Sequence, residues 1–290
     1  MRISGFTFLR DAAFFGYPFE ESIRSLLPVV DEYVIAVGEC RDDTLDRLRD
    51  LQRADPRIRI IETQWNEQMK EKGFVYAQQK MIAQSNCTGD WAFYLEGDEV
   101  VHEDDAPVIK AAMARHLENP AVEALAFDYL HFYGTPDQLA DSPAWYRREV
   151  RVIRNTIRTF APDGQYFVVM DRIRRGRYPR AAMSGGRIFH YGHCRLRDRR
   201  HQMIQKLTKY WDAPPPPSFD YGRIDPQILV PFRGTHPAVM KDWLAHGAER
   251  TFEPMQGYRP SAREKKHRLA RKIERLLGVD LSKRHFVLVK

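Results

Sequence analysis

Four consecutive residues, Glu96-Gly97-Asp98-Glu99, place three carboxylates directly after the apolar run Trp91–Leu95. Such a run predicts a short buried strand. In open α/β sheets, ligands gather outside the carboxyl ends of strands. Acids separated by one residue can offer hard oxygen ligands to Mg²⁺ or Mn²⁺, and a metal so held can bridge to phosphate oxygens. Gly97, lacking a Cβ, lets the backbone bend and a ligand approach closely. The competing reading is an acidic turn in which Asp104 or Asp105 caps the next helix. A second group, His190-Tyr191-Gly192-His193, follows the strand-like Arg187-Ile188-Phe189 and a Gly185-Gly186 turn. Imidazole suits Mn²⁺-type sites better than Mg²⁺. His190, ranked above His193, is therefore a candidate metal ligand, with a structural histidine as the alternative.

The elements that must carry these groups alternate over the first 130 residues. Strands are predicted at Ile3–Leu9, Tyr33–Val37, Ile58–Glu62, Trp91–Leu95 and Ala124–Tyr129. Between them, helical spacing marks 20–27, a segment carrying Leu45, Leu48 and Leu51 after an Asp42 or Asp43 cap, 73–85, and a helix opened by Pro107. Alternation of this kind predicts a parallel sheet covered on both faces. Beyond residue 130 the pattern loosens. Shorter strands are expected at 151–153, 167–170 and 187–190, a helix end at 206–211, and one more helix over 237–246. The run Pro214–Pro217 must be extended. Residues 263–277 read as an amphipathic helix whose Leu269, Ile273 and Leu276 form an ordinary core stripe. The expected organisation is a domain over 1–212, with its ligand-binding half at about 1–130, and a proline-rich linker with a basic helical extension over 213–290.

Composition narrows the class. At 290 residues with 43% hydrophobic and 29% charged residues, the chain has the balance of a soluble globular protein. No apolar run approaches the roughly 20 residues of a membrane helix, and the N-terminus reads as a strand interrupted by Arg10 and Asp11 rather than as a signal peptide. Three widely spaced cysteines suit a reducing cytoplasm and suggest neither a disulfide scaffold nor a zinc site. The last thirty residues hold ten Lys or Arg against three Asp or Glu, so they carry the whole net charge of +7. Nucleic-acid binding, which the basic balance and aromatics such as Tyr210, Trp211 and Trp243 raise, is disfavoured because the excess lies in the tail rather than across the sheet.

Three stretches, in order and at matching spacing, resemble family 2 glycosyltransferases of the GT-A fold. Residues 22–44 resemble the helix, strand and acidic donor loop, ending Asp42-Asp43-Thr44; residues 73–91 resemble the helix lining the donor site, with Tyr76-Ala77-Gln78-Gln79-Lys80 and Gly89-Asp90-Trp91; Leu95–Val100 resembles the Asp-x-Asp metal motif. The chain departs from that pattern at Val37, where the family has an acid that holds the nucleoside, with Glu39 two residues on; at Glu96, which replaces the first Asp of the metal motif; and at Arg10-Asp11, where many members have Asn-Glu. The resemblance implies an α/β, Rossmann-like mixed sheet with helices on both faces and the C-terminal helical extension. It implies transfer of a sugar from a nucleoside-diphosphate sugar to a hydroxyl acceptor, a glycan or lipid-linked, assisted by Mn²⁺ or Mg²⁺ and inverting. Asp98 would be the main metal ligand, with Glu96 direct or through water, and His190 the late histidine that returns to the metal. Arg10, Glu39, Asp42, Lys80 and Asp98 would face the donor. Asp128, at the end of the fifth strand, is the candidate base, with Glu149 in reserve. Two alternatives stand beside this: a fold member that binds sugar nucleotides without transfer, and peripheral contact of the basic tail with the inner face of a membrane.

Overall fold

The computed structural model describes residues 1–173, 175–212, 214 and 220–289. Pro215–Pro217, and with them most of the proline run, lie outside the described residues. The elements run β1 (Ile3–Leu9), α1 (Phe19–Leu26), β2 (Glu32–Gly38), α2 (Thr44–Ala54), β3 (Ile58–Thr63), α3 (Phe74–Ser85), β4 (Trp91–Tyr94), β5 (Glu99–Val101), α4 (Ala106–His116), β6 (Ala124–Tyr133), β7 (Thr135–Ala140) and β8 (Arg148–Arg154). There follow β9 (Thr159–Phe160), β10 (Val168–Met170), β11 (Gly176–Arg177), β12 (Arg180–His193), α5 (Arg197–Leu207), β13 (Leu229–Pro231), α6 (Lys241–His246), α7 (Ala262–Leu277) and β14 (Val287–Leu288).

The main sheet is ordered β13-β7-β6-β8-β4-β1-β2-β3, with β12 branching from β6 to meet β5 and β14. Strands β3, β2, β1 and β4 are parallel. β8 is inserted antiparallel between β4 and β6, and β12 returns parallel to β6. This is a mixed, Rossmann-like sheet. Period-two alternation divides its side chains between two cores. Tyr33, Ile35, Trp91 and Phe93 face α1, α2 and α4, while Phe6, Val34, Ala36 and Tyr94 face α3 and Phe167. No described helix is long and apolar enough to cross a membrane.

Several expectations are corrected. Gly185-Gly186 is not a turn: β12 runs unbroken from Arg180 to His193, and the glycines lie at a register shift between Met183 and Arg187, with Gly185 at φ +77. Asp105 does not cap α4 with its side chain but clasps the Arg187 guanidinium. The largest correction concerns α7. Its leucine stripe is turned outward, with Leu269 61%, Leu276 83% and Leu277 64% exposed, while Arg271 and Glu274 are buried. The surface beneath is polar. Arg147 meets Glu274 at 2.6 Å, Arg268 meets Asp225 at 2.5 Å, and Arg271 meets Asp141 at 2.7 Å and donates to the Gln227 carbonyl at 2.6 Å. A capping box of Ser261 and Glu264 starts the helix and Gly278, at φ +64, ends it.

One side chain ties the middle of the sheet together. Arg151, on the inserted strand β8, is fully buried and reaches Glu99 on β5 with Nη2 to Oε1 at 2.7 Å and Nε to Oε2 at 2.8 Å. Nη2 also meets Glu96 at 3.2 Å, and Nη1 donates to the Gln165 carbonyl at 2.9 Å. Burial alone would raise the Glu99 pKa, but the Arg151 charge outweighs it and holds the carboxyl below the ordinary range. Removing one partner of such a pair strands a buried charge, which costs about 3–5 kcal/mol. Urea unfolding of Arg151→Met is expected to show a loss of that size near neutral pH, and pairing it with Glu99→Gln should recover much of it. Because the folded pKa of Glu99 is depressed, its contribution is present above the unfolded value and fades as pH falls through the folded one. The gap between wild type and Glu99→Gln should therefore narrow below the ordinary carboxylate pKa.

Candidate functional site

A cavity of about 870 Å³ opens where β1 and β4 end, within the size range of small-molecule sites. Leu9–Ala12 enter it from the end of β1, Glu96–Asp98 from the β4–β5 turn, and His131 and His190 from the paired strands β6 and β12. The end of α5 and the 3-10 turn that follows close another side with Lys206 and Tyr210. The β4–β5 turn is tight against β1: a Cβ on Gly97 would stand 2.8 Å from Leu9 Cδ2. Gly192 does the same for the chemistry, since a Cβ there would stand 2.5 Å from Asp98 Oδ2 and 2.7 Å from His190 Nε2. Only glycine leaves room for those two groups side by side.

The hydrogen bonds fix the histidine tautomers. His131 Nε2 lies 2.7 Å from the Tyr146 carbonyl, which can only accept, so that nitrogen carries the proton. His131 Nδ1 is then a bare acceptor for His190 Nδ1 at 2.9 Å, and His190 must donate from it. That leaves a lone pair on His190 Nε2, 3.8 Å from the Asp98 carboxylate. Burial first, and the charges of Arg200, Arg151 and Arg195, lower the His190 pKa to about 4 despite the pull of Glu99, so the ring stays neutral at physiological pH. A neutral nitrogen acceptor thus faces a carboxylate oxygen. Two acceptors at this spacing want a cation between them, and a histidine whose second nitrogen is held by a hydrogen bond is the usual form of a metal ligand. Burial raises the Asp98 pKa, the nearby Arg195 works against it, and Arg195 Nη2 stands 3.7 Å away without a hydrogen-bond partner of its own.

The predicted residues divide. Arg10, Glu96, Asp98 and His190 all line the cavity; Glu39, Asp42, Lys80 and Asp128 are not among its lining residues. Asp98 and His190 are brought together, but the ligand atoms of Glu96, Asp98 and His190 do not form a group within 4.8 Å among the described residues, because Glu96 leans to Arg151. Burial lifts the Glu96 carboxyl above the ordinary range and the Glu99 charge adds to this, against Arg151. A third of the side chain is exposed, so water moderates the lift. Arg10 lines the cavity yet spends its charge on Glu67 at 2.5 Å, and its Nη1 also meets Tyr210 at 3.1 Å. Lys80, expected at the donor or on the surface, is fully buried under the Gly164 carbonyl at 3.2 Å and over the Phe167 and Tyr94 rings; burial, and then Arg151 nearby, lower its pKa.

Glu39 is exposed on its loop. Asp42 accepts from the Phe14 and Thr44 amides at 2.7 and 3.0 Å. With Asp11 and Cys40 it forms a half-buried trio of possible ligand atoms within 4.8 Å. The acids of that trio are engaged by backbone amides, Asp11 by that of Arg41 at 2.7 Å, and burial pushes the Cys40 thiol up to about 11. It acts as a loop clasp. Asp128 is half exposed and paired with Arg148 at 2.8 Å. Glu149 is buried and bound to His285 at 2.5 Å.

Sequence reasoning missed His131, Arg151, Arg195 and Trp65, and the grouping of Trp65 with Tyr76 and Tyr210, whose rings meet edge to face with centroids 5.3–5.6 Å apart beside the cavity. A signal existed for one of them: His131 interrupts the apolar run Tyr129–Tyr133, and a buried polar residue in such a run needs a reason.

No protein-family model matches the chain, and no curated protein matches it. Solved structures do. They include S. aureus TarS 1–349, at 11% identity over 53% of this chain and 47% of that one with a TM-score of 0.34, and the same protein with UDP-GlcNAc, at 12% identity over 53% and 46% with a TM-score of 0.33. They also include the mannosyltransferase PcManGT from Pyrobaculum calidifontis with GDP-Man and Mn²⁺, at 15% identity over 53% and 44% with a TM-score of 0.36. The chain spans about half the length of the solved structures it matches.

Proposed function

We propose that the protein is a glycosyltransferase that moves a sugar from a nucleoside-diphosphate sugar to the hydroxyl of a glycan or lipid-linked acceptor, with a divalent cation held by Asp98 and His190. The observation that carries this reading is the bare lone pair of His190 Nε2 facing the Asp98 carboxylate inside the cavity. One oxygen and one nitrogen ligand fit Mn²⁺ better than Mg²⁺. The cation would supply Lewis-acid stabilisation of the departing diphosphate. Arg195, buried beside Asp98 with one nitrogen unpaired, adds fixed positive charge on the same side, and Lys206 adds more at the α5 wall. The Trp65, Tyr76 and Tyr210 rings give the cavity an aromatic side suited to a base or sugar ring.

An inverting transfer needs a base for the acceptor hydroxyl. Glu96 is better placed for this than Asp128, because it lines the cavity, and burial, helped by the Glu99 charge, lifts its carboxyl above the ordinary range. Binding without transfer is the second reading. It is favoured by the contact of Glu96 with Arg151, which takes that carboxylate partly out of use.

Titration calorimetry with Mn²⁺, and melting curves with UDP- and GDP-sugars, test the proposal. Asp98→Ala and His190→Ala are expected to abolish Mn²⁺ uptake and the metal-dependent rise in Tm, while Asp128→Asn leaves both intact. If neither the metal nor any nucleotide sugar shifts the Tm of the wild type, the proposal fails. His131→Phe, which frees the tautomer, should weaken Mn²⁺ by about 10–100-fold without touching a ligand. Glu96→Gln should retain donor binding and lose at least about 100-fold in transfer; full turnover in that variant would remove Glu96 as the base.

A further inference from the structure

Helix α7 presents an arrangement that the rest of the chain does not explain. Its inner face is charged and paired with the body of the protein. Glu264 receives bonds from Ser261 and Tyr258, Arg268 holds Asp225, Arg271 holds Asp141, and Glu274 holds Arg147. Its outer face is apolar, with Leu269, Ile273, Leu276 and Leu277 all exposed, and Val279 and Leu281 continue the exposed apolar surface past the Gly278 cap. At 100° per residue, Lys265 and Lys272 border this stripe on one flank and Arg263 on the other, with Lys266 at its N-terminal end. All four of these cations are exposed. Both acids of the helix, Glu264 and Glu274, are used on the inner side. The outer face therefore carries leucine, isoleucine and positive charge, and no carboxylate.

We infer that the outward face of α7 docks the protein on an anionic lipid bilayer, with the leucines in the acyl boundary and the lysines among the headgroups. Each part has its physical role. An apolar stripe between cations, on a helix too short and too polar to span, is the pattern of a helix that lies in the interface. The lysine stems run along the apolar surface while their heads stay with phosphate. A second copy of the chain is disfavoured by charge, since two such faces brought together would oppose cation to cation with no acid between them. An anionic surface neutralises the same charges. The helix is also fixed rather than free: Arg147, gripped by Glu274, directly follows Trp145 and Tyr146, which line the cavity. Docking α7 would thus hold the cavity at a set attitude to the lipid surface. The inference stands apart from the proposed reaction, because none of its residues lines the cavity.

Co-sedimentation of the full chain with vesicles tests it. The wild type should bind vesicles of equimolar phosphatidylcholine and phosphatidylglycerol, bind pure phosphatidylcholine far less, and release as salt rises. Leu269→Ser with Ile273→Ser and Leu276→Ser should lower the partition coefficient by more than about tenfold at unchanged Tm, since all three side chains are exposed. Lys265→Ala and Lys272→Ala, which keep the stripe, should each lower it by about fivefold. Absence of binding to the anionic vesicles overturns the inference, as does equal binding to both lipid compositions. A dimer in light scattering that dissociates in the triple variant, without vesicle binding, overturns it in favour of a second copy.

Discussion

Carboxylates packed into one buried turn repel each other and resist leaving water, and this molecule answers with a single guanidinium. Glu99 is fully buried, Glu96 and Asp98 sit three residues and one residue before it, just past the end of β4, and desolvation works against the charge of each. Arg151 reaches this turn only because β8 is inserted antiparallel between β4 and β6. An all-parallel sheet would put a different strand, with a different residue, beside β4. The sheet order and the electrostatics of the turn are therefore one constraint seen at two scales. Arg151 holds Glu99 ionised and draws Glu96 part-way aside, which leaves Asp98 as the carboxylate beside a neutral histidine.

That remainder is assembled over a long chain of dependence. His190 comes from β12 and His131 from β6, and they meet because the two strands pair in register, His190 opposite His131. The Tyr146 carbonyl sets the tautomer of the first, which sets that of the second. Glu123 steadies the far end of the same strand pair by binding Arg177 and the backbone of Arg180. Burial would raise its pKa, yet the Arg177 hydrogen bond brings it down to about 2. Each contact is worth little alone. Together they place one lone pair.

The first half of the sheet was legible in the sequence because its signals are local. Strand runs such as Tyr33–Val37, breaks such as Pro28, and the acid turn after Trp91–Leu95 need no knowledge of what lies across the sheet. What could not be read is the partner of each charge. Lys80 and Asp128 look alike in sequence, each a charged residue within a regular element. Lys80 vanishes into the core against two rings and Asp128 turns out to Arg148. Glu96 and Asp98 look equivalent until Arg151, more than fifty residues away, claims one of them. Pairing across a sheet is a long-range property, and single-sequence periodicity carries none of it.

Helix α7 shows the same limit in its sharpest form. Periodicity states that a helix has two faces but not which is inside. The ordinary rule puts leucine inward because burying apolar area is the commonest source of stability. Here the ground under the helix was already charged: Asp141, Arg147 and Asp225 come from the edge of the sheet and the loop before β13. Apolar side chains on that ground would leave Asp225 without its Arg268 partner and the Asp141–Arg147 pair half-satisfied, which costs more than leaving leucines in water. The polar face therefore goes in, the hydrophobic area is left over, and the leftover area lies beside lysines. A helix that packs in the ordinary way uses up its amphipathicity in folding. One that packs inverted keeps its apolar surface for something outside the chain.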